Sequence, residues 1–197
     1  MTHRHVFATT VLAIGLAGLV AGCTSSNDGS GPKGSLAITL SATRAPAGGA
    51  VQTATAENED ALSHLKAAII TISGVEARTA EGTWVPVETG LPVNVDLIAI
   101  MNAGNVVSLP ADLLPAGGYT ALELRIAQVQ LTLLDGTKVT ITPTGSGWTI
   151  QIPVSFSVVT GQSTVVKLNL HCGNSFRLFD GQFEFDPEIE VEGVEHH

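Results

Sequence analysis

Short segments in which apolar and polar residues alternate follow one another from about residue 35 to the end of the chain. A period of two puts the apolar side chains on one face of an extended strand, and the pairs Asp135-Gly136 and Asp180-Gly181 between segments favour hairpin turns. Long windows lack the i, i+3, i+4 apolar spacing of a surface helix. The sequence therefore predicts an all-β domain, and many short strands at this spacing indicate a sandwich or a barrel.

The same pattern predicts where the strands lie. They are expected at Ser35–Ser41, His64–Ser73, Val75–Arg78, Trp84–Val87, Val93–Ile98, Val106–Leu109, Tyr119–Leu134, Lys138–Thr142, Trp148–Val159, Ser163–Leu170, Phe176–Phe179, Gln182–Phe185 and Glu188–Glu192. A bulge is expected at Gly74, and one helical turn between residues 99 and 105. Hairpin turns are predicted at residues 80–82, 135–136, 161–162 and 180–181.

The segment between the first two predicted strands, residues 42–61, is polar and rich in Gly, Ala and Thr. A structureless stretch of about 20 residues is uncommon inside a compact domain and is usually functional or mobile. We expect a mobile, protease-sensitive loop here, within one domain that spans residues 35–197.

The start of the chain has the pattern of an export signal. His3, Arg4 and His5 precede the apolar run Val11–Ala21, which is shorter than the roughly 20 residues that a membrane-spanning helix needs. Residues 1–22 are therefore interpreted as a signal peptide. The sequence Leu19-Val20-Ala21-Gly22-Cys23 at its end resembles the lipobox of bacterial lipoproteins.

That resemblance implies cleavage before Cys23 and lipidation of its thiol, so the membrane becomes a partner through two or three acyl chains. Two chains anchor a protein stably, at about 0.8 kcal/mol per buried methylene. Residues 23–34 would then form the lipidated cysteine and a flexible Gly/Ser tether. Thr24, rather than an acidic residue, follows the cysteine, which in lipoproteins favours the outer membrane of the cell envelope.

A formal net charge of −9 repels phosphate backbones, so nucleic acid is not expected as a partner. The chain also lacks a Gly-x-Ser-x-Gly nucleophile elbow and has few histidines beyond the leader. We therefore expect neither an enzyme nor a bound cofactor or metal. His64 is expected to open a strand as a surface or edge residue. The His171-Cys172 pair leaves three alternatives open: a buried inert thiol, an intermolecular disulfide, or a soft-metal or redox site.

Five motifs occur in a familiar order: SLAITLSATRAP, LKAAIITISGVEAR, the W-x-x-V of Trp84 to Val87, VNVDLIAIMNAG and LPAGGYTALELRI. Together they resemble the bacterial family catalogued as domain of unknown function 4382, although no Asp stands before Ala45-Pro46. The resemblance implies an envelope lipoprotein with a single antiparallel, prealbumin-like (transthyretin-like) β-sandwich. The Pro-Ala-Gly-Gly-Tyr turn is also similar to that of carboxypeptidase-regulatory-like and collagen-adhesin B-type sandwiches, which implies that Tyr119 helps to fix a strand start. The family has no assigned activity, so no catalytic residue can be transferred.

Two tryptophans are the candidate ligand-binding residues. Trp84 and Trp148 are interpreted either as core residues or as an aromatic platform for sugar rings. The favoured function is a membrane-anchored, non-enzymatic β-sandwich that binds a ligand or an envelope protein of unknown identity. A carbohydrate-binding surface lipoprotein that recognises polysaccharide is the first alternative, and a secreted hydrolase of unfamiliar type is the second.

The C-terminal run from Glu184 to Glu192 has an acid at every even position. In one extended strand all five acids share a face, where same-side residues are about 6.7 Å apart, too far for one Ca²⁺. We therefore expect Phe185, Ile189 and Val191 to pack inward, the acids to stay exposed, and calcium to bind only weakly.

Overall fold

Extended backbone accounts for 66% of the described residues and helix for 10%, so the fold is all-β as the alternation predicts. The computed structural model describes residues 31–44, 60–87, 90–109, 113–143, 145 and 147–197. The first strand runs to Thr43, two residues into the loop expected at 42–61. At its other end this loop meets the 3₁₀ turn Ala61–His64. Residues 45–59, the greater part of that loop, lie outside the described residues.

Thirteen strands and two helices follow one another in the described part of the chain. The strands are β1 (Lys33–Thr43), β2 (Leu65–Thr79), β3 (Trp84–Pro86), β4 (Val93–Asp96), β5 (Val107–Leu109), β6 (Leu113–Pro115), β7 (Gly117–Leu133), β8 (Lys138–Ile141), β9 (Trp148–Val158), β10 (Ser163–His171), β11 (Phe176–Phe179), β12 (Gln182–Phe185) and β13 (Ile189–His196). The helices are α1 (Leu97–Ala103) and α2 (Cys172–Ser175).

Most of these strands belong to two sheets. In sheet I the order is β3-β2-β7-β8, with β4 also beside β2 and β9 also beside β7, and every pair is antiparallel. In sheet II the order is β13-β10-β1-β5, with β6 also beside β1. The β1–β10 pair is parallel, so the expectation of an entirely antiparallel sandwich is wrong for this pair. Strands β11 and β12 form a separate hairpin.

One hydrophobic core is built from the inner faces of both sheets, which gives the sandwich-like arrangement. Its largest fully buried side chains come from alternate positions of the strands and from α1: Leu36, Ile38, Leu40, Ile70, Ile72, Leu97, Leu109, Leu114, Leu122, Leu124, Ile126 and Leu131. Strand β9 alternates most regularly, because its odd-numbered residues from 149 to 157 face solvent and its even-numbered ones face the core. The period of two therefore decides which side chains are buried.

Two predicted elements differ in the structure. The strand expected at Val93–Ile98 stops at Asp96, because the Asp96 side chain accepts hydrogen bonds from the backbone N–H groups of Ile98 and Ala99 and so caps α1. The hairpin expected at residues 161–162 is wrong. β9 pairs with β7 in sheet I, and β10 pairs with β1 and β13 in sheet II, so this turn crosses from one sheet to the other.

Other local predictions are confirmed. The β7–β8 and β11–β12 hairpins turn at Asp135-Gly136 and Asp180-Gly181, and the ladder between β2 and β7 shifts register beside Gly74. Tyr119 is buried, and its hydroxyl donates to the carbonyl of Pro115 at 2.8 Å. This bond ties the start of β7 to β6, the role that the motif resemblance implies.

The acidic run does not form one strand, because β12 ends at Phe185 and β13 begins at Ile189. Phe185 is buried, and Ile189 and Val191 are half-buried against the core, as expected. Glu188 is half-buried rather than exposed, since its carboxylate accepts a hydrogen bond from Asn174 Nδ2. The single acidic face is therefore wrong, whereas the inward packing is confirmed.

Strand pairing defines two ends of the domain. At the proximal end, where β1 begins, Lys33 lies opposite Pro115 and Gly117 lies opposite Val158. The distal end is where β1 finishes, with Thr43 beside His171. Arg44, just after β1, forms an ion pair with Asp60, which places the start of the 3₁₀ turn at the distal end. At the end of that turn, the carbonyl of His64 accepts a hydrogen bond from Leu134 N, so the β7–β8 turn lies at the distal end too.

Candidate functional site

An open groove of about 430 Å³ lies at the distal end, between the β7–β8 hairpin and the β11–β12 hairpin. Its lining residues are Leu133, Val139, Thr140, Ile141, Thr142, Gly181, Gln182 and Phe183. Small-molecule and side-chain binding sites commonly have volumes of roughly 300–1,000 Å³, with mainly apolar walls and a few polar groups. The volume of this groove falls in that range, but its walls are more polar, because two threonines, a glutamine and a glycine stand beside three aliphatic residues and a phenylalanine.

Each of the two hairpins carries an exposed apolar residue next to a residue that lines the groove, and we call these two the rim residues. Leu134 is 68% exposed and directly follows Leu133, and Phe179 is 57% exposed and lies opposite Gln182. Both residues stand at hairpin turns that the sequence specifies. Asp180 and Gly181 have the positive φ angles that a two-residue hairpin loop needs, and Asp135 accepts a hydrogen bond from Thr137 N at 2.8 Å. The exposure of the two rim residues is therefore a consequence of rigid turns.

Aromatic packing holds the second hairpin in place. The Phe185 ring meets Trp148 edge-on at 5.2 Å and Phe176 at 4.9 Å. After the hairpin, Asp186 N donates to the carbonyl of Ser175, and Glu188 N donates to its hydroxyl. The predicted ligand residue Trp148 thus supports one wall of the groove from the core side.

The second predicted ligand residue lies elsewhere. Trp84 is half-buried on β3, opposite Arg78, whose side chain points outward and whose guanidinium carbon is 5.9 Å from the ring centroid. Trp148 lies opposite the fully buried Ile126 and therefore belongs to the inner face. The two tryptophans occupy opposite faces of sheet I and do not form a shared platform.

A charged cluster on the outer face of sheet I joins three strands and was missed by the sequence reasoning. Arg125 Nη2 contacts Glu76 at 2.9 Å and Glu123 at 3.0 Å, and Gln151 donates to the second oxygen of Glu123 at 3.3 Å. The hydrogen bond that Arg125 donates to the Glu123 carboxylate raises the pKa of Arg125. Gly74 lies opposite Arg125, where a Cβ atom would come within 3.3 Å of the arginine stem. These side chains supply one another with hydrogen-bond and ion-pair partners. Their proximity follows from the strand register, which the sequence alone does not give.

A second polar chain runs across the outer face of sheet II. Ser41 donates to Asn169, Asn169 donates to Thr43 at 3.1 Å, Thr43 Oγ1 is 3.3 Å from His171 Nδ1, and His171 Nε2 is 3.1 Å from Glu190. The Thr-His-Glu order has the connectivity of a hydrolytic triad. Thr43, however, accepts the Asn169 amide, and none of these five residues lines the groove. The arrangement connects β1, β10 and β13 by hydrogen bonds.

Comparison with protein-family models, with curated proteins and with solved structures found no match for this chain. The motif resemblance noted above therefore stays a prediction. Cys23 lies outside the described residues. His64 is exposed, as expected of a surface residue, but it ends the 3₁₀ turn Ala61–His64 and does not open β2. In the described ranges, no group of three or more His, Cys, Asp or Glu side chains could hold a metal ion, and no helix is long and apolar enough to cross a membrane.

Cys172 is fully buried next to His171, and burial raises the pKa of its thiol to about 12. At pH 8 such a thiol is ionised in roughly one molecule in ten thousand, and only the thiolate attacks disulfide reagents. We predict that, in the Cys23→Ser chain, where Cys172 is the remaining cysteine, dithionitrobenzoate reacts with the native protein over hours. Unfolding in urea should give complete reaction within minutes.

Complete modification of the native Cys23→Ser chain within minutes would contradict this prediction. It would instead favour the redox or disulfide alternatives for Cys172. Urea-unfolded protein serves as the control, because it contains the same thiol at its ordinary pKa.

Proposed function

We propose that the chain is a lipoprotein of the bacterial envelope, anchored in the outer membrane through Cys23, whose prealbumin-like sandwich is a non-enzymatic binding module for another envelope component. The observation that carries the proposal is the distal groove with its two exposed apolar rim residues, Leu134 and Phe179. The tether joins β1 at Lys33, at the proximal end of the domain, and the groove lies at the opposite, distal end.

The rim residues explain why binding is the favoured function. An apolar side chain that leaves water stabilises a complex by roughly 1.5–3 kcal/mol, and aromatic residues at rigid positions are frequent anchors of protein interfaces. Leu134 and Phe179 are held by tight turns, so little conformational entropy is lost when a partner covers them. A partner would gain from both residues without rearranging the domain.

The composition of the groove indicates the chemistry of the partner. Leu133, Val139, Ile141 and Phe183 offer an apolar surface of modest size, and Thr140, Thr142 and Gln182 offer neutral hydrogen-bonding groups. Among the residues that the structure describes, none with a charged side chain lines the groove. We infer that it receives an aliphatic or aromatic side chain of an envelope protein, with neutral backbone amides of that partner meeting the threonines and the glutamine.

In-cell photocrosslinking tests the proposal. A benzophenone amino acid placed at Leu134 or at Phe179 of the lipidated chain should give adducts of the same mass with one partner. The same probe at Val106, which is 58% exposed and lies outside the groove, should not. With the probe at Leu134, Phe179→Asp should reduce the adduct about tenfold or more, because it removes apolar contact area. Equal labelling from all three positions, or none from the rim, would contradict the proposal.

Carbohydrate binding is the second candidate, and the half-buried Trp84 on the outer face is the observation that favours it. Trp84 lies one strand away from the cluster of Glu76, Glu123 and Arg125, whose charged groups could hydrogen-bond a sugar. Glycan-array binding that is lost in Trp84→Ala and kept in Trp148→Phe would support this candidate. Binding unaffected by Trp84→Ala would exclude the Trp84 site.

A further inference from the structure

Two exposed aliphatic side chains flank the first residues of β1 at the proximal end. Leu113 is 54% exposed and lies opposite Ser35, and Val159 is 42% exposed and follows the last residue of β9. The carbonyl of Val159 packs so closely on Gly34 that a Cβ atom there would overlap it. Both side chains thus border the point where the tether leaves the domain.

The backbone on either side fixes the direction in which these side chains point. Leu113 precedes Leu114, which is buried, and alternation along β6 therefore turns Leu113 away from the core. Val159 follows the buried Val158, and its carbonyl accepts a hydrogen bond from Gln162 N at 3.1 Å. Leu113 and Val159 therefore face away from the core, and each keeps about half of its surface exposed to solvent.

The length of the tether limits what that surface can be. Ten residue steps separate Cys23 from Lys33, and even a fully extended chain covers only about 35 Å over this distance. A lipid-anchored domain is thus held next to the bilayer at a high effective concentration, where a few weak apolar contacts suffice to orient it. Elsewhere, the outer face of sheet I carries the charged cluster of Arg125 with Glu76 and Glu123. This face is a poorer contact for a membrane.

From this geometry we propose that the proximal end rests on the membrane, with Leu113 and Val159 inserted into the interfacial region of the bilayer and Lys33 at the level of the lipid headgroups. This inference rests on the proposed lipid anchor at Cys23. It fixes the orientation of the domain, because the distal groove with Leu134 and Phe179 then points away from the membrane, toward a partner.

Fluorescence quenching tests this orientation with a matched control. Leu113→Cys and Val106→Cys would each be labelled with nitrobenzoxadiazole in the full lipidated chain, reconstituted into phosphatidylcholine vesicles that contain a lipid with a nitroxide on its acyl chain. The two positions are similarly exposed, at 54% and 58%, but Val106 precedes β5 and lies toward the distal half of β1. The Leu113 label should be quenched at least twofold more than the Val106 label. Val159→Asp should reduce that difference.

Vesicle flotation, measured first, separates the two possible failures. A chain that does not float with the vesicles overturns the lipid anchor and the orientation with it. A chain that floats while its Leu113 and Val106 labels are quenched equally, or not at all, overturns the orientation and leaves the anchor standing. Quenching at Leu113 that is unchanged by Val159→Asp overturns the role of Val159.

Discussion

Replacing Cys23 with Ser is expected to remove the chain from membranes completely. A serine hydroxyl cannot take the diacylglycerol group that lipoprotein processing adds to a thiol, so the chain loses every acyl chain at once. Two chains of about 16 carbons each contribute about 0.8 kcal/mol per buried methylene, far more than any contact of the folded domain can replace. Vesicle flotation and metabolic labelling with palmitate would measure both the anchor and its covalent attachment.

The matched control for this prediction is Cys172→Ser. Cys172 is the second of the two cysteines in the chain and is buried in the domain, so its replacement should leave palmitate labelling and flotation unchanged. A Cys23→Ser chain that is still processed and retained by membranes would show that the lipobox interpretation is wrong.

Replacing Ile70 with Ala is expected to destabilise the domain by about 3–4 kcal/mol. Ile70 is fully buried on the inner face of β2, where truncation leaves a cavity between the sheets. The same change at Ile69 should cost only about 1 kcal/mol, because Ile69 is half-buried on the outer face. Pulse proteolysis of the detergent-solubilised protein over a range of urea concentrations would compare the stabilities of the two variants.

The comparison tests the register of β2 as well as its burial. Ile69 and Ile70 are chemically identical neighbours in one strand. Effects of strand propensity and local sequence are therefore the same in both variants, and the difference in stability reports burial. Equal losses of stability at the two positions would contradict the assignment of inner and outer faces, since a register shift of one residue would exchange them.

Local patterns predicted much of the strand content but not the partners of each strand. The Asp-Gly turns specify the β7–β8 and β11–β12 hairpins, because a two-residue turn with positive φ angles favours pairing of the strands on either side of it. The turn around Gly161 has a positive φ as well, yet it joins two different sheets. A turn residue determines where the chain reverses, whereas the choice of sheet depends on which inner faces meet in the core.

The candidate site was harder to predict than the strands. The walls of the groove come from residues 133–142 and 181–183, which are distant in sequence. Tertiary contacts bring them together, among them the packing of Phe185 against Trp148 and Phe176. A signal was nevertheless present, because Leu134 and Phe179 are apolar residues next to tight turns, where alternation alone expects polar ones. The two tryptophans were candidates because they are aromatic. Which face of the sheet each one occupies depends on strand register, and composition carries no information about register.

The parallel pairing of β1 with β10 has a consequence for how the chain reaches its folded state. Hydrogen bonds in this pair link side chains 128 positions apart, such as Ser41 and Asn169. Contacts of such long range form slowly. The β1–β10 pair of sheet II therefore forms late, once nearly the whole polypeptide is available, and under the proposed export this delay would keep the chain unfolded long enough to cross a membrane.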